Sequence, residues 1–508
     1  MSVTLQMGII VGYLLVALAV GLIAYRVTER TAEDFYLASR SLGTVVLLFT
    51  VFATLLSAFT FFGGPDTAFS LGPEWILVMG LMDGLIFAVL WYVIGYKQWL
   101  MGQRSGYVTL GELLDDRFDS RGIRGLVAGV SLFWLFPYVM LQQIGAGAAI
   151  TGLTRGAVPF WTGATLITVF MIAYVALAGM RGIAWTDTLQ GVFMLVVVWL
   201  ALGWVLVAVD GGIGAINAGI QATEPGFLAL GGGAYTPQFM LSFAISIAIG
   251  VTMFPQINQR FFAARSERVL KRTFTLWPVL VLLLFVPAFL LGTWAAGLGI
   301  EADVAAGESV LPSLLAAYTP GWFAALVIAG AIAAMMSSSD SMLLSGSSYF
   351  TRDLYRPFVA RDLSDRREDQ LGRIGVVVFA LAALLASLWI EKGGFGAATV
   401  GSLLVDIGDL AFGGFAQLAG PVVLALYWRG TTRTGMGAGI VVPQAIYLAF
   451  NVLPETTVSG VVLFATAYFG WSLSLYAIGV GVLVTVVASI LSGSAPGEDP
   501  SLIEVRER

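Results

Sequence analysis

Thirteen apolar runs, each long enough for a helix to cross a bilayer, follow one another along this chain of 508 residues. They lie near residues 5–27, 42–63, 75–96, 123–152, 158–178, 186–209, 238–259, 274–299, 321–346, 374–391, 397–427, 435–453 and 468–492. A spanning helix needs about 20 apolar residues, whereas a spanning strand is half as long and alternates. Hydrocarbon offers the backbone no hydrogen-bond partner, so unbroken runs of this length must satisfy their own amides as helices. The expected fold class is therefore an all-α polytopic membrane protein with about 13 transmembrane helices.

Charged residues are only 11% of the chain, against roughly 25% in soluble domains. That excludes a soluble enzyme, a disordered chain and a nucleic-acid binder, and leaves the lipid bilayer as the main partner. The 61 glycines suit helices that must pack closely without hydrophobic help from water. With no Cys and no His, thiolate nucleophiles and imidazole relays or ligands are impossible. No catalytic set is visible, so an enzyme is not expected. No obligate protein partner is evident.

Basic residues fix an expected orientation. Of the 26 Lys and Arg, 24 fall in alternate loops, while the opposite loops hold only Arg155 and Lys392. Positive loops stay cytoplasmic, so the N-terminus is expected outside and the C-terminus in the cytoplasm of a cell-membrane protein. The stretch 105–119 reads as a short cytoplasmic helix.

Two spanning segments carry helix breakers: Gly63, Gly64 and Pro65 in the second, and Pro255 in the seventh. A membrane proline usually marks a packing kink. Two breaks five segments apart instead suggest an inverted repeat, with segments 2–6 and 7–11 as halves. That is the design of a transporter with its site near the midplane.

Four stretches carry a resemblance: FYLASRSLG (35–43), GMRGIAWTDTLQ (179–190), FPQINQRFFAA (254–264) and AIAAMMSSSDSMLLSGSSYFTRDLY (331–355). On them the chain resembles the sodium:solute symporter family over roughly residues 30 to 430. Within it, SAFTFFGGPDTAF (57–69) is similar to pantothenate permeases, and FPQINQRFFAA to the sixth core helix of proline permeases. GYVTLGELLDDRF (106–118) and PYVMLQQIGAGA (137–148) look more like monocarboxylate permeases. The resemblance implies an inverted five-helix repeat, a LeuT-like core. The expected organisation is a peripheral first helix (1–30), a core (31–430, repeats about 42–209 and 238–427), two peripheral helices (431–492) and a cytoplasmic tail (493–508).

Ala334, Ser337 and Ser338 share one helix face, and sodium, a hard cation, takes oxygen ligands. From the residues alone, close helix packing is the competing reading. The resemblance implies a sodium site of carbonyls from Ala53, Leu56 and Ala334 and hydroxyls from Ser337 and Ser338. Thr186 and Asp187 read as a cap on the sixth segment, and the family's Thr-Asp pattern also implies a carboxylate on the sodium exit path. Asp340, with Ser57, Ser341 and Asp187, is a candidate second sodium site; Asp340 could instead hold a proton or pair with a buried Arg.

The solute cavity is expected between the broken helices and the third core helix, lined by Phe59, Thr60, Phe61, Tyr138, Gln142, Gln143, Phe254 and Gln256. Gln142 and Gln143 stand about 100° apart on a helix, so one faces the cavity and the other a neighbour. Asp83, Asp406 and Asp409 are candidates for the vestibule or permeation path. Glu74-Trp75 echoes an acid-Trp pair of the sugar-transporting branch. The expected function is a sodium-coupled symporter importing a small organic solute, a monocarboxylate first. Helix N-termini near Phe59–Phe62 or Phe254–Gln256 would favour its negative charge, with no buried Lys or Arg visible as countercharge. Proton coupling, a proline-like or pantothenate substrate, and a transporter-like sensor are the alternatives.

Overall fold

The computed structural model describes residues 2–29, 31–231, 233–301, 309–393, 400–453, 455–458, 461–463, 465–493 and 498. Apart from two short hairpins, Thr456–Val458 with Val461–Leu463 and Ala467–Tyr468 with Trp471–Ser472, its regular structure is helical. Three helices stand before and at the first break: α1 (Val3–Tyr25), α2 (Ala32–Leu37) and α3 (Thr44–Leu55). Then come α4 (Phe59–Leu71), α5 (Ile76–Ser105), α6 (Leu110–Phe118), α7 (Arg121–Leu153), α8 (Phe160–Ala208) and α9 (Gly212–Thr223). The second half holds α10 (Pro237–Thr252), α11 (Pro255–Ala263), α12 (Glu267–Gly297), α13 (Val310–Tyr318), α14 (Gly321–Phe358), α15 (Asp365–Glu391), α16 (Val400–Ala416) and α17 (Ala419–Tyr427). Two further helices follow, α18 (Arg433–Val452) and α19 (Leu473–Ser492).

Ten described helices are long and apolar enough to span, and two bent pairs, α3 with α4 at 67° and α10 with α11 at 58°, bring the number to twelve. The expected thirteenth is inside α8. It bends at Gly179, where φ is 56° and ψ is −148°, a region only glycine occupies cheaply. A Cβ there would lie 2.5 Å from the Phe35 carbonyl oxygen. Segments 158–178 and 186–209 are thus one chain of turns with a sharp corner. Because the helix restarts at that corner, Thr186 and Asp187 lie inside α8 rather than capping it, and the Thr186 hydroxyl donates back to Gly182 and Ile183.

Corresponding breaks and helix order give the inverted repeat: α3–α4, α5, α7 and the two arms of α8 match α10–α11, α12, α14, α15 and α16–α17. The first break is not where the sequence puts it. Gly63, Gly64 and Pro65 lie inside α4, which opens with a wide π turn at Phe59–Gly63 that leaves room for the proline ring. The chain unwinds earlier, at Leu56 (φ −84°, ψ 128°). There Gln142 Oε1 accepts from the Ala58 N–H at 2.9 Å and stands in for the missing helical bond. The second break falls at Met253–Phe254, just ahead of Pro255 as expected. Asn258 Nδ2 donates to the Thr252 carbonyl at the break and to that of Phe254 in the first turn of α11.

The stretch 105–119 forms α6, opened by a capping box in which Thr109 and Glu112 satisfy each other's backbone. Glu112 also joins Arg124 at 3.1 Å and Arg352 at 2.8 Å. Burial raises its carboxyl, but those two guanidiniums outweigh it and hold the group below its usual range. Of the tail, Gly493 and Glu498 are described, and Glu498 accepts from the Arg433 N–H. Arg30, Arg506, Arg508 and residues 397–399 lie outside the described residues.

Candidate ion and solute site

Unwinding at Leu56 frees carbonyl oxygens at the C-terminal end of α3, and α14 crosses that point with its serine face. Small residues let the two backbones approach. Ser337 Oγ donates to the carbonyl oxygens of Ala53 (2.7 Å) and Ala334 (3.0 Å). Ser338 Oγ donates to those of Leu56 (2.5 Å) and Thr54 (2.9 Å). All five residues expected at the sodium site therefore meet in one buried cluster of oxygens. The cluster is free of nitrogen and sulfur and carries no formal charge. That donor set fits a hard monovalent cation: each hydroxyl has only to turn its proton away and offer a lone pair.

Beside it lies a charge cluster that the sequence did not reveal. Arg260, counted among cytoplasmic loop residues and absent from the expected countercharges, is fully buried. Its guanidinium pairs with Asp187 (3.1 Å) and donates to Ser341 Oγ (2.5 Å) and to the Thr50 carbonyl and hydroxyl. The hydroxyl of Thr50 also donates to Asp187 at 2.5 Å. Asp340 accepts from Tyr174 (2.5 Å) and Ser341 (3.1 Å). Asp187, Asp340 and Ser341 are thus one network around Arg260. Ser57 is not in it: past the unwound residue its hydroxyl points the other way, toward Tyr138 Oη at 3.2 Å. An arginine so close to a helix end reads as a loop cation in sequence, because only the fold shows that α11 runs inward.

The solute candidates divide. Phe59, Tyr138 and Phe254 form an aromatic cluster with Phe412 and Phe415 of α16, with ring centres 4.6–5.7 Å apart. Phe59, Thr60 and Tyr138 line a small central cavity of about 30 Å³, together with Asp83, Trp277 and Phe412. Gln142 holds the break, as above, and Gln143 faces away, donating to Thr168 and the Ala380 carbonyl. Phe61 and Gln256 are buried, and neither amide atom of Gln256 has a hydrogen-bond partner among the described residues. Neither lines the central cavity.

The unwound residues are Leu56 and Ser57, just ahead of Phe59–Phe62, so the N-terminus of α4 lies at the start of the expected stretch. Phe412, Phe415 and Trp277 were missed, since a lipid-facing aromatic and a cavity-facing one look alike in sequence. The nearest signal is Gly413-Gly414 between the phenylalanines: a Cβ on Gly414 would strike the Trp134 ring.

A cavity of about 30 Å³ is roughly the share of one water in the liquid. A solute placed there would require the aromatic cluster to part. A vestibule of about 540 Å³ lies on the face that carries Arg155, lined by Phe62, Asp66, Ser309 and Glu391. Asp409 lines a separate pocket with Tyr447 and Asn451, and Asp406 is exposed. Glu74 is buried and accepts from the Gly231 N–H.

Comparisons with known proteins bear on the fold and the family. The model of the sodium:solute symporter family matches residues 35–442. The sodium/pantothenate symporter of Escherichia coli is 28% identical over 452 residues, covering 87% of this chain and 90% of that one. A monocarboxylate transport permease protein of Rhizobium johnstonii is 24% identical, covering 70% and 72%. Among solved structures, an outward-open, substrate-bound Na+-coupled sialic acid symporter superposes with a TM-score of 0.77 at 19% identity, covering 96% and 98%. That likeness shows the fold, an inverted-repeat transporter. With broken helices, repeat and family model in accord, the chain belongs to the sodium:solute symporter family, a family of membrane transporters rather than enzymes.

Proposed function

We propose that this protein is a cell-membrane symporter that couples inward sodium flow to import of a small organic solute bearing one carboxylate. Family membership carries the sodium coupling and the membrane location. The observation that supports the ion site is the meeting of Ala53, Leu56, Ala334, Ser337 and Ser338 across the break. An ion held there ties the broken helix to α14. Its binding then biases the rocking of one bundle against the other and shapes the solute site beside it. Pantothenate and monocarboxylates, after which two relatives are named, each carry a single carboxylate, and this supports that substrate class. A second ion at Asp187, Asp340 and Ser341 is disfavoured by the Arg260 guanidinium already there. Purified protein in proteoliposomes should take up labelled carboxylates only with an inward sodium gradient. Uptake driven equally by a proton gradient without sodium would refute the reading.

The proposed orientation has the N-terminus outside, from the split of basic residues. Asp210 and Arg361 are exposed, and the chain has no Cys. In right-side-out vesicles Asp210→Cys should react with an impermeant thiol reagent and Arg361→Cys should be protected. The opposite pattern would invert the topology.

A further inference from the structure

Asp83 of α5 is 2% exposed, and its Oδ1 has no hydrogen-bond partner among the described residues. It lines the central cavity with Thr60, Phe59, Tyr138, Phe412 and Trp277. The Trp277 indole N–H is also buried and has no hydrogen-bond partner among the described residues. No Lys or Arg lines this cavity. A carboxyl and an indole N–H left unmatched in an apolar wall are costly to bury. In a transporter the natural reason is a partner that arrives and leaves. The free space of about 30 Å³ has the size of one water or one ammonium group. Apart from Thr60, its other walls are half aliphatic and half aromatic, and aromatic faces attract organic cations.

We infer that Asp83 receives the cationic nitrogen of the solute and that the Trp277 N–H receives one of its acceptor oxygens. The solute is then a zwitterion, an amino or imino acid or a betaine, rather than a simple carboxylate anion. A bare anion would meet the Asp83 carboxylate at short range with no cation to offset it. This deepens the reading of a sodium-coupled carboxylate importer and rests on it.

The test uses the full-length protein in proteoliposomes with an inward sodium gradient. L-proline, L-alanine and glycine betaine should compete for uptake, while L-lactate and propionate should not. Asp83→Asn keeps the side-chain volume. It should raise the KM for the zwitterion about tenfold or more, the worth of a hydrogen bond to a charged group, and leave the sodium titration unchanged. If Asp83→Asn fails to fold, the competition series on the unaltered protein still decides. Sodium-driven uptake of lactate or propionate without the nitrogenous solutes overturns the inference and leaves the symport reading intact. An unchanged KM in Asp83→Asn overturns it too, as does a shifted sodium dependence with unchanged solute selectivity. Absence of sodium dependence for every solute overturns both.

Discussion

Replacing Ser338 with alanine should lower the apparent sodium affinity at least about tenfold. The hydroxyl now bonded to the Leu56 and Thr54 carbonyls would be one of five oxygens around the ion. Losing a contact to a charged group is worth roughly 1.5–3 kcal/mol, and each 1.4 kcal/mol is about tenfold. Little volume is removed, so the fold should survive. Solute affinity at saturating sodium should stay near normal, because coupling is restored once the site is filled. Ala53→Ser should do much less, since its ligand atom is main chain. Sodium titration of uptake in Ser337→Ala, Ser338→Ala and Ala53→Ser measures all of this. Unchanged sodium dependence in both serine variants would move the ion elsewhere, with Asp187 and Asp340 the next candidates.

Arg260→Leu should be the most destabilising of these substitutions. It leaves Asp187, fully buried and paired with Arg260 at 3.1 Å, without its cation. Breaking one side of a buried pair costs about 3–5 kcal/mol, whereas replacing both sides by apolar groups is often neutral. The double variant Arg260→Leu with Asp187→Leu should therefore recover most of the thermal stability that the single variant loses. Unfolding of purified protein in detergent, followed by temperature, reads both. If the single variant melts with the unaltered protein, or the double variant is worse than either single one, the pair is not holding α11 against α8 and α3.

The serine face was legible in sequence through its spacing and through the family resemblance. Ser337 and Ser338 follow Ala334 by three and four residues, on its side of the helix, and the resemblance implied the Ala53 and Leu56 carbonyls that they meet. Asp340 was visible as an intramembrane acid, since burial of charge is expensive wherever the chain goes, whereas Asp187 read as a helix cap. Their companion was not visible. Arg260 stands five residues before Arg265, in a run of cations that the positive-inside pattern assigns to a loop. Its true place depends on α11 leaving the break at 58°, an angle set by packing and not by composition. The first break shows the same limit. Gly63, Gly64 and Pro65 are strong local breakers, yet the chain unwinds at Leu56, because Ser338 and Gln142 from two other helices satisfy the backbone there.

The sequence by itself determined the solvent, the helical class, the approximate number of spans and the residues able to offer oxygen to a cation. These follow from hydropathy, period and side-chain chemistry, which act along the chain. Tertiary structure alone decided where the backbone opens, that Arg260 neutralises Asp187, and that Ser57 parts from Ser341. It also decided that Phe412 of α16 closes over Phe59 while Asp83 and Trp277 keep unmatched polar atoms at the cavity. Each of those is a meeting of groups from different helices. In lipid such meetings are set by close packing and hydrogen-bond satisfaction rather than by a hydrophobic pattern that a single segment could display.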